Sequence, residues 1–459
     1  MYGTITVKEF KVAAGQLHVV LQSLQEYVGE AFCSGRVLSL LERSLSGEIS
    51  LFRLEEPYVD KDFRDLYYSD FSKRFKEVSR DSKRVHLYLG ARRQYAGFFT
   101  LHNVSPCNIG RSCISPDAMG AGGTFLCLSD YKVNFCGEEL HVRAFPWMQQ
   151  DVNMSRCAHV AVWEIIRYFS QRKSNYREIL LGEIDRMSDK PQRKVPSSGL
   201  TISEVARCLA HYGFSVNIHS KEVLAKSKNY KGCDFYQLLF SYIESGIPVI
   251  ASFKKRPHAI VIMGHGPVAS AASYRSRIIP SYKLCRELVS CDDNKMPYSR
   301  LDIQGKDEGQ DLSCIVVPLY EKMYIDLFSF ISVILPEFER ENITSKTGGQ
   351  YVRRVFITSS NALKRFVRQN SGDEDYIKYT GRLLMPKFVI VAEYALLAEY
   401  PKQVRCRLIF DATALEKQSF KDNYICVKSE DSLTIRAISS TLKLKSKTEP
   451  LYVNNLQGT

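Results

Sequence analysis

Cys157 lies in the run Gln149-Gln-Asp-Val-Asn-Met-Ser-Arg-Cys157-Ala-His-Val-Ala-Val-Trp, where a polar loop gives way to an apolar helical pattern. A thiol in the first turn of a helix feels the partial positive charge of the N-terminus, which favours the thiolate and makes the sulfur a nucleophile. His258 follows Pro257 at the mouth of a strand-like run. An imidazole so placed can take the thiol proton and hand it on. Asp292 ends a later strand-like run, and a carboxylate there would hold the imidazole in one tautomer, with Asp293 as the alternative beside it. Attack on a carbonyl also needs donors for the developing oxyanion. The backbone N–H of Cys157 is one, and the side-chain amide of Gln150, or of Gln149 next to it, is the other. These residue types together describe acyl transfer through a thioester.

The elements that must position them can be read from periodicity. Ala158, Ala161, Val162, Ile165, Ile166 and Phe169 form one apolar face of a helix, with Ser155 as its candidate N-cap. Ser198-Gly-Leu-Thr precedes a second helix in which Val205, Leu209 and Tyr212 face inward and which Gly213 closes. Two nearly unbroken apolar runs, Ile247-Pro-Val-Ile-Ala-Ser-Phe and His258-Ala-Ile-Val-Ile-Met, imply strands buried on both faces. Residues 266–285 look like an inserted loop, after which Glu287-Leu-Val-Ser-Cys resumes a strand. Upstream, residues 1–85 read as mixed and partly helical, while the runs starting at Arg84, Ala96, Thr124 and Glu139 read as strands. Downstream, Lys387-Phe-Val-Ile-Val-Ala and Arg405-Cys-Arg-Leu-Ile-Phe are strand-like, and alternating Lys443, Lys445 and Lys447 suit a solvated edge.

The ordered set of Gln150, Cys157 heading a helix, Ser198-Gly-Leu-Thr, Gly246-Ile-Pro-Val-Ile, His258-Ala-Ile-Val-Ile-Met-Gly and Asp292 resembles the papain-like cysteine peptidases, particularly their C39-like branch found in bacteria. The resemblance spans about residues 145 to 300. It departs from the family pattern at Cys157-Ala-His, where Cys-Gly is usual, and at Gly264-His265, where Gly-Tyr is usual; the Gln also stands about one residue further from the Cys. The resemblance implies an α+β fold, with a Cys-bearing helix packed on an antiparallel sheet that carries the His and Asp. The expected division is an N-terminal mixed region 1–140, a catalytic domain 141–320 and a C-terminal α+β region 321–459. Cys157, His258, Asp292 and Gln150 are the expected catalytic set of a thiol hydrolase cleaving an amide or isopeptide bond, and no cofactor or metal is called for.

Composition bounds the remaining choices. With 45% hydrophobic residues in 459, the chain has material for several cores, which excludes a disordered protein. Its 63 Lys and Arg against 50 Asp and Glu leave +13, which favours an acidic protein or peptide substrate over a basic one. The longest mostly apolar run, Tyr324 to Leu335, contains Asp326 and is too short to span a bilayer, so no membrane partner is expected. Thirteen scattered cysteines, with no basic head and apolar core of a signal peptide at the start, suit free thiols in the cytoplasm, and the sequons at Asn103, Asn153 and Asn342 then carry little weight. Cys107, Cys113, Cys127 and Cys136 lack the spacing of a zinc site. His159 reads as structural, and His265 as a competitor to His258 at the far end of its strand. Two rival readings use the same residues: a catalytically degenerate fold that binds nucleic acid or protein, and an acyltransferase or deamidase built on the same triad.

Overall fold

The computed structural model describes residues 4–75, 77–104, 108–121, 125–151, 157–187, 199–226, 233–268, 274–305, 308–321, 323, 327–343, 349–413 and 423–452. Ser155, Ser198, Cys107 and Asn153 lie outside these residues. The architecture is α+β, built on three large sheets. The first runs, in spatial order, Thr6–Lys11, Ile49–Tyr58, Ser82–Leu89, Gln94–His102, Asn108–Ile114, Glu138–Trp147 and Ser129–Phe135, each strand antiparallel to its neighbour. Two of its strands, Thr6–Lys11 and Ile49–Tyr58, fall in the part whose sequence reads as mixed and partly helical. Ile49–Tyr58 mixes apolar and charged residues without strict alternation because the strand is largely buried along both faces. Residue 140 falls inside a strand of this sheet rather than between domains.

The second sheet holds the site. Its order is Ser299–Asp302, Glu287–Cys291, Ala259–His265, Val249–Phe253, Leu312–Tyr320 and Phe214–Ser220, all antiparallel, with the short strand Phe125–Leu126 also pairing to Ala259–His265. Ile260 to His265 are all buried, so this antiparallel strand has the unbroken apolar composition usual for parallel ones. The third sheet orders Ile278–Pro280, Tyr351–Ser359, Phe388–Leu396, Cys406–Asp411, Tyr424–Lys428, Ser432–Ile435 and Ser440–Lys443. Ile278–Pro280 comes from the segment that reads as an inserted loop, and it pairs parallel to Tyr351–Ser359, tying the second sheet's connection into the third sheet. One continuous apolar core runs from Phe10 to Val427 across all three sheets.

The helix Cys157–Arg172 is the hub. Every residue from Ala158 to Phe169 is buried, not one face alone. It is packed by strands Glu138–Trp147 and Ser129–Phe135 of the first sheet, by strands Ala259–His265 and Val249–Phe253 of the second, and by helices Leu181–Arg186 and Ile202–His211. Two of its polar residues find a shared internal partner: the Trp163 indole N–H and Arg167 both donate to Asp62 Oδ1, at 3.0 and 2.6 Å. The second helix, Ile202–His211, is fixed by a capping box between Thr201 and Glu204, and Gly213 follows with φ of 90°. No helix among the described residues is long and apolar enough to cross a membrane.

Candidate active site

Cys157 is the first residue of its sixteen-residue helix and is partly exposed, while the helix below it is closed in. The helix start thus brings the thiol to a surface opening. His258 arrives from the second sheet. Val249–Phe253 leads into the turn Lys254-Lys-Arg-Pro, and His258 stands immediately before strand Ala259–His265. That strand runs antiparallel to Glu287–Cys291 with Val261 opposite Cys291, so the chain leaving Cys291 passes beside the start of the histidine's strand. This register puts Asp292 against His258.

His258 Nε2 is 2.9 Å from Asp292 Oδ1 and 3.8 Å from Asp293 Oδ1. Burial alone would lower the imidazole, but the hydrogen bonds to Asp292 and to Cys157 push it up to about 10. With Nε2 engaged by Asp292, Nδ1 is the nitrogen left for the sulfur. Burial works against the Asp292 carboxylate too; the hydrogen bond from His258 and that from the Asn294 N–H, at 3.0 Å, outweigh it and hold Asp292 down at about 2. The Trp147 indole N–H donates to the Asp292 carbonyl at 3.1 Å, anchoring this turn to the first sheet. Between the two aspartates, Asp292 is the partner of His258. Asp293 is instead pushed up to about 7, chiefly by burial.

The two glutamines separate as clearly. Gln149 exchanges two hydrogen bonds with the backbone of Ile109, at 2.8 and 2.9 Å, and is committed to the first sheet. Gln150 lines the cleft that holds Cys157 and His258, its Nε2 donating to Asn294 Oδ1 at 3.4 Å. The cleft measures about 560 Å³, room for a few residues of peptide. Gly199 to Ile202 form one wall, and Phe253, Arg256 and Pro257 another.

Three features of the site escaped the sequence reading. Glu164, two turns below Cys157, is a buried carboxyl pushed well above the ordinary range, first by burial and then by Asp293 and Asp292. Glu164 Oε1 and Asp293 Oδ2 are both buried without a hydrogen-bond partner among the described residues. The third is a stack: the Phe253 ring lies 5.9 Å from the His258 ring at 14° and also carries the Arg256 guanidinium at 4.3 Å. The signal for the first was available, a glutamate amid apolar positions of a helix. The stack depends on a turn geometry that residue types do not specify.

His258, Asp292 and Asp293 also place three donor atoms within 4.8 Å of one another, the spacing of a metal site. The hydrogen bond between His258 and Asp292 already occupies the space between two of these donors. His159 points to Asp185, 4.0 Å away, and is buried. Cys113 and Cys127 sit in separate parts of the core and Cys136 is exposed, and all twelve described cysteines are free thiols.

No protein-family model matches the chain. No curated protein matches it in sequence. Among solved structures, the peptidase domain of Streptococcus ComA, a bi-functional ABC transporter involved in a quorum sensing pathway, matches with 8% identity and a TM-score of 0.22, over 37% of this chain and 96% of that one. A superposition that loose supplies no argument, and the reading that follows stands on the site's own residues.

Proposed function

We propose that the protein is a papain-like cysteine hydrolase that cleaves an amide or isopeptide bond of a protein or peptide. The observation that carries this reading is the placement of Cys157, first residue of its helix, and His258 in one cleft, with His258 Nε2 2.9 Å from the Asp292 carboxylate and the thiol among the groups that raise the imidazole. The Cys157 thiolate adds to the substrate carbonyl carbon, and the carbonyl oxygen becomes an oxyanion facing the Cys157 N–H and the Gln150 amide. His258, an imidazolium at neutral pH, gives its proton to the leaving amine as the C–N bond breaks, leaving a thioester. Neutral His258 then takes a proton from water, whose oxygen attacks the thioester, and keeps it as the acid departs and the Cys157 thiolate is released, which restores the ion pair. Asp292 keeps the imidazole oriented throughout and stabilises its charge. An amine that outcompetes water at the thioester would turn the same apparatus to acyl transfer.

The test is alkylation of Cys157 by iodoacetamide, followed by peptide mass spectrometry across about pH 5 to 9. The expected result is fast modification at acidic pH that is lost in His258→Ala, since the thiolate there depends on the imidazolium. A Cys157 that reacts no faster than the other thiols in both proteins would overturn the proposal.

A further inference from the structure

The helix Cys157–Arg172 borders two cavities. Its first residues open on the cleft, while a later face carrying Trp163, Arg167 and Gln171 lines a second cavity, of about 600 Å³, against the first sheet. The sheet supplies the facing wall from four neighbouring strands, with Glu55, Arg84, Phe98 and Arg111. Leu54, Val85 and Phe99, which sit beside these residues in the chain and opposite one another across the strands, belong to the main core. One face of the sheet is thus apolar, and the other presents charge to a cavity.

Among the described residues its lining holds the cations Arg84, Arg111, Lys132 and Arg167 against the carboxylates Glu55 and Glu178. Both carboxylates are taken: Glu55 accepts from Arg84 Nε at 2.8 Å, and Arg167 pairs with Glu178 at 3.0 Å. Lys132 pairs with Glu139 at 3.1 Å. Arg111 differs from these. A guanidinium carries five N–H donors, yet among the described residues that of Arg111 makes one hydrogen bond, from a terminal nitrogen to the Tyr58 hydroxyl at 2.5 Å. Its Nε lies 3.7 Å from Asp60 and from Asp62, ion pairs without a hydrogen bond. Other donors already engage those two carboxylates: Arg167 and Trp163 at Asp62, and the Asp62 N–H, Thr100 and His102 at Asp60. A second donor on the same lining, the Tyr131 hydroxyl, has no hydrogen-bond partner among the described residues. Unsatisfied donors cost stability, so two of them on one cavity wall point to an acceptor that arrives from outside. The exposed part of the lining includes the apolar side chains of Ile5, Pro57 and Val59.

We infer that this cavity is a second ligand site. It takes a small organic anion whose carboxylate or phosphate group is bound by Arg111 and Tyr131 and whose apolar body lies against Ile5, Pro57 and Val59. The volume suits a molecule of that class and exceeds what a bare oxyanion fills. The terminal nitrogens of a guanidinium offer the paired donors that an oxyanion accepts. No described residue lines both this cavity and the Cys157 cleft, so the inference stands apart from the hydrolase reading.

Isothermal titration calorimetry of the whole protein tests it with two pairs of probes, phenyl phosphate against phenol and benzoate against benzamide. Each pair shares an apolar body and differs in the anion. At least one anion should bind about tenfold more tightly than its neutral partner, and the tighter of the two anions names the group the site takes. Arg111→Lys keeps a positive charge beside Asp60 and Asp62 but loses the fork, and should weaken that anion about tenfold. Tyr131→Phe removes only the hydroxyl. It should weaken the anion about fivefold while leaving the melting temperature of the unliganded protein unchanged or higher, a combination that a purely structural hydroxyl does not give. His258→Ala, which alters only the other cavity, should bind the anion as the wild type does. Anions that bind no better than their neutral partners overturn the inference, and so does an affinity unchanged in both Arg111→Lys and Tyr131→Phe. An anion signal lost in His258→Ala belongs to the Cys157 cleft and overturns it as well.

Discussion

The strand Ala259–His265 has a Cys–His–carboxylate row at each end. At its start stand Cys157, His258 and Asp292; at its end His265 Nδ1 lies 3.8 Å from Cys285 Sγ, and His265 Nε2 lies 3.4 Å from Glu244. In both rows the histidine is raised by the same two kinds of neighbour, thiol and carboxylate, to about 10 at the first and about 9 at the second, against the lowering effect of burial. By residue type they are nearly equivalent. The differences lie in what surrounds each atom. Cys157 begins a sixteen-residue helix and opens on a cleft, whereas Cys285 follows the short turn Ser281–Leu284 and is 1% exposed. The Cys285 thiol sits 3.3 and 3.4 Å from the carbonyls of Glu287 and Gly266, to which it donates. Glu244 is also shared: Arg354 of the third sheet donates to it at 2.7 Å. On the proposed reading, the helix end and the opening are what set a reactive row apart from the same three residue types closed in the core, which form a joint between sheets.

The largest expected effect separates the two sulfurs. Cys157→Ala should abolish turnover, and Cys285→Ala should retain it, because no substrate atom can reach a thiol enclosed by Gly266 and Glu287. Comparing turnover of the two variants on one cleavable peptide checks this. Loss of turnover in a folded Cys285→Ala protein would break the comparison.

The second effect is on stability and belongs to the closed row. Arg354 lies 4% exposed between Glu244 and Glu393, donating to them at 2.7 and 3.1 Å. Arg354→Met leaves two buried carboxylates short of a countercharge, which should cost about 3–5 kcal/mol. Urea denaturation would measure it. A midpoint within error of the wild type would show that the joint is not what couples the second and third sheets.

What the sequence revealed follows the same division. Cys157, His258 and Asp292 were legible because each sits at an element boundary that carries its own mark: a polar loop before an apolar helix, Pro257 before a strand, and the Asp-Asp-Asn break after one. The aspartate and glutamine alternatives required coordinates, since Gln149 and Gln150 differ only in which backbone they meet. The closed row was not legible as a unit. Glu244, His265, Cys285 and Arg354 come together through pairings between distant segments, including the parallel pairing of Ile278–Pro280 with Tyr351–Ser359, and no local period encodes such contacts. The helix Cys157–Arg172 misled in the same way: its apolar face was visible, but its complete burial comes from all the elements packed around it, and this is why Glu164 has no water to ionise into.

A smaller effect tests the open row's orienting carboxylate. Asp292→Asn keeps the shape of the turn but removes the charge that pairs with the imidazolium, and loss of such a supporting partner should lower turnover about 10- to 100-fold. His258 should titrate lower in the variant, so the acid-side alkylation of Cys157 should weaken as well. If alkylation persists at acidic pH, the helix end alone is sufficient to hold the thiolate and the carboxylate is only positional.

The smallest effect concerns Asp293, the acid that the open row does not use. Its folded value of about 7 stands above the ordinary 3.8, because burial, with Asp292 close by, opposes its charge. The folded protein therefore keeps a proton that the unfolded chain releases, and Asp293 lowers stability progressively as pH rises from about 4 through about 7. Asp293→Asn removes this titration, so its melting temperature relative to the wild type should rise over that window by a few degrees and then level off. His258 is held up chiefly by Asp292 and Cys157, which the variant keeps, so its own contribution, present below its unfolded value and lost as pH rises toward about 10, changes only by the weaker pull of Asp293. A difference in melting temperature that stays constant from pH 4 to pH 8 would mean that Asp293 is ionised throughout. The unpartnered Oδ2 beside Glu164 would then need a compensating cation instead of a proton, and the open row would be less apolar at its base than its burial implies.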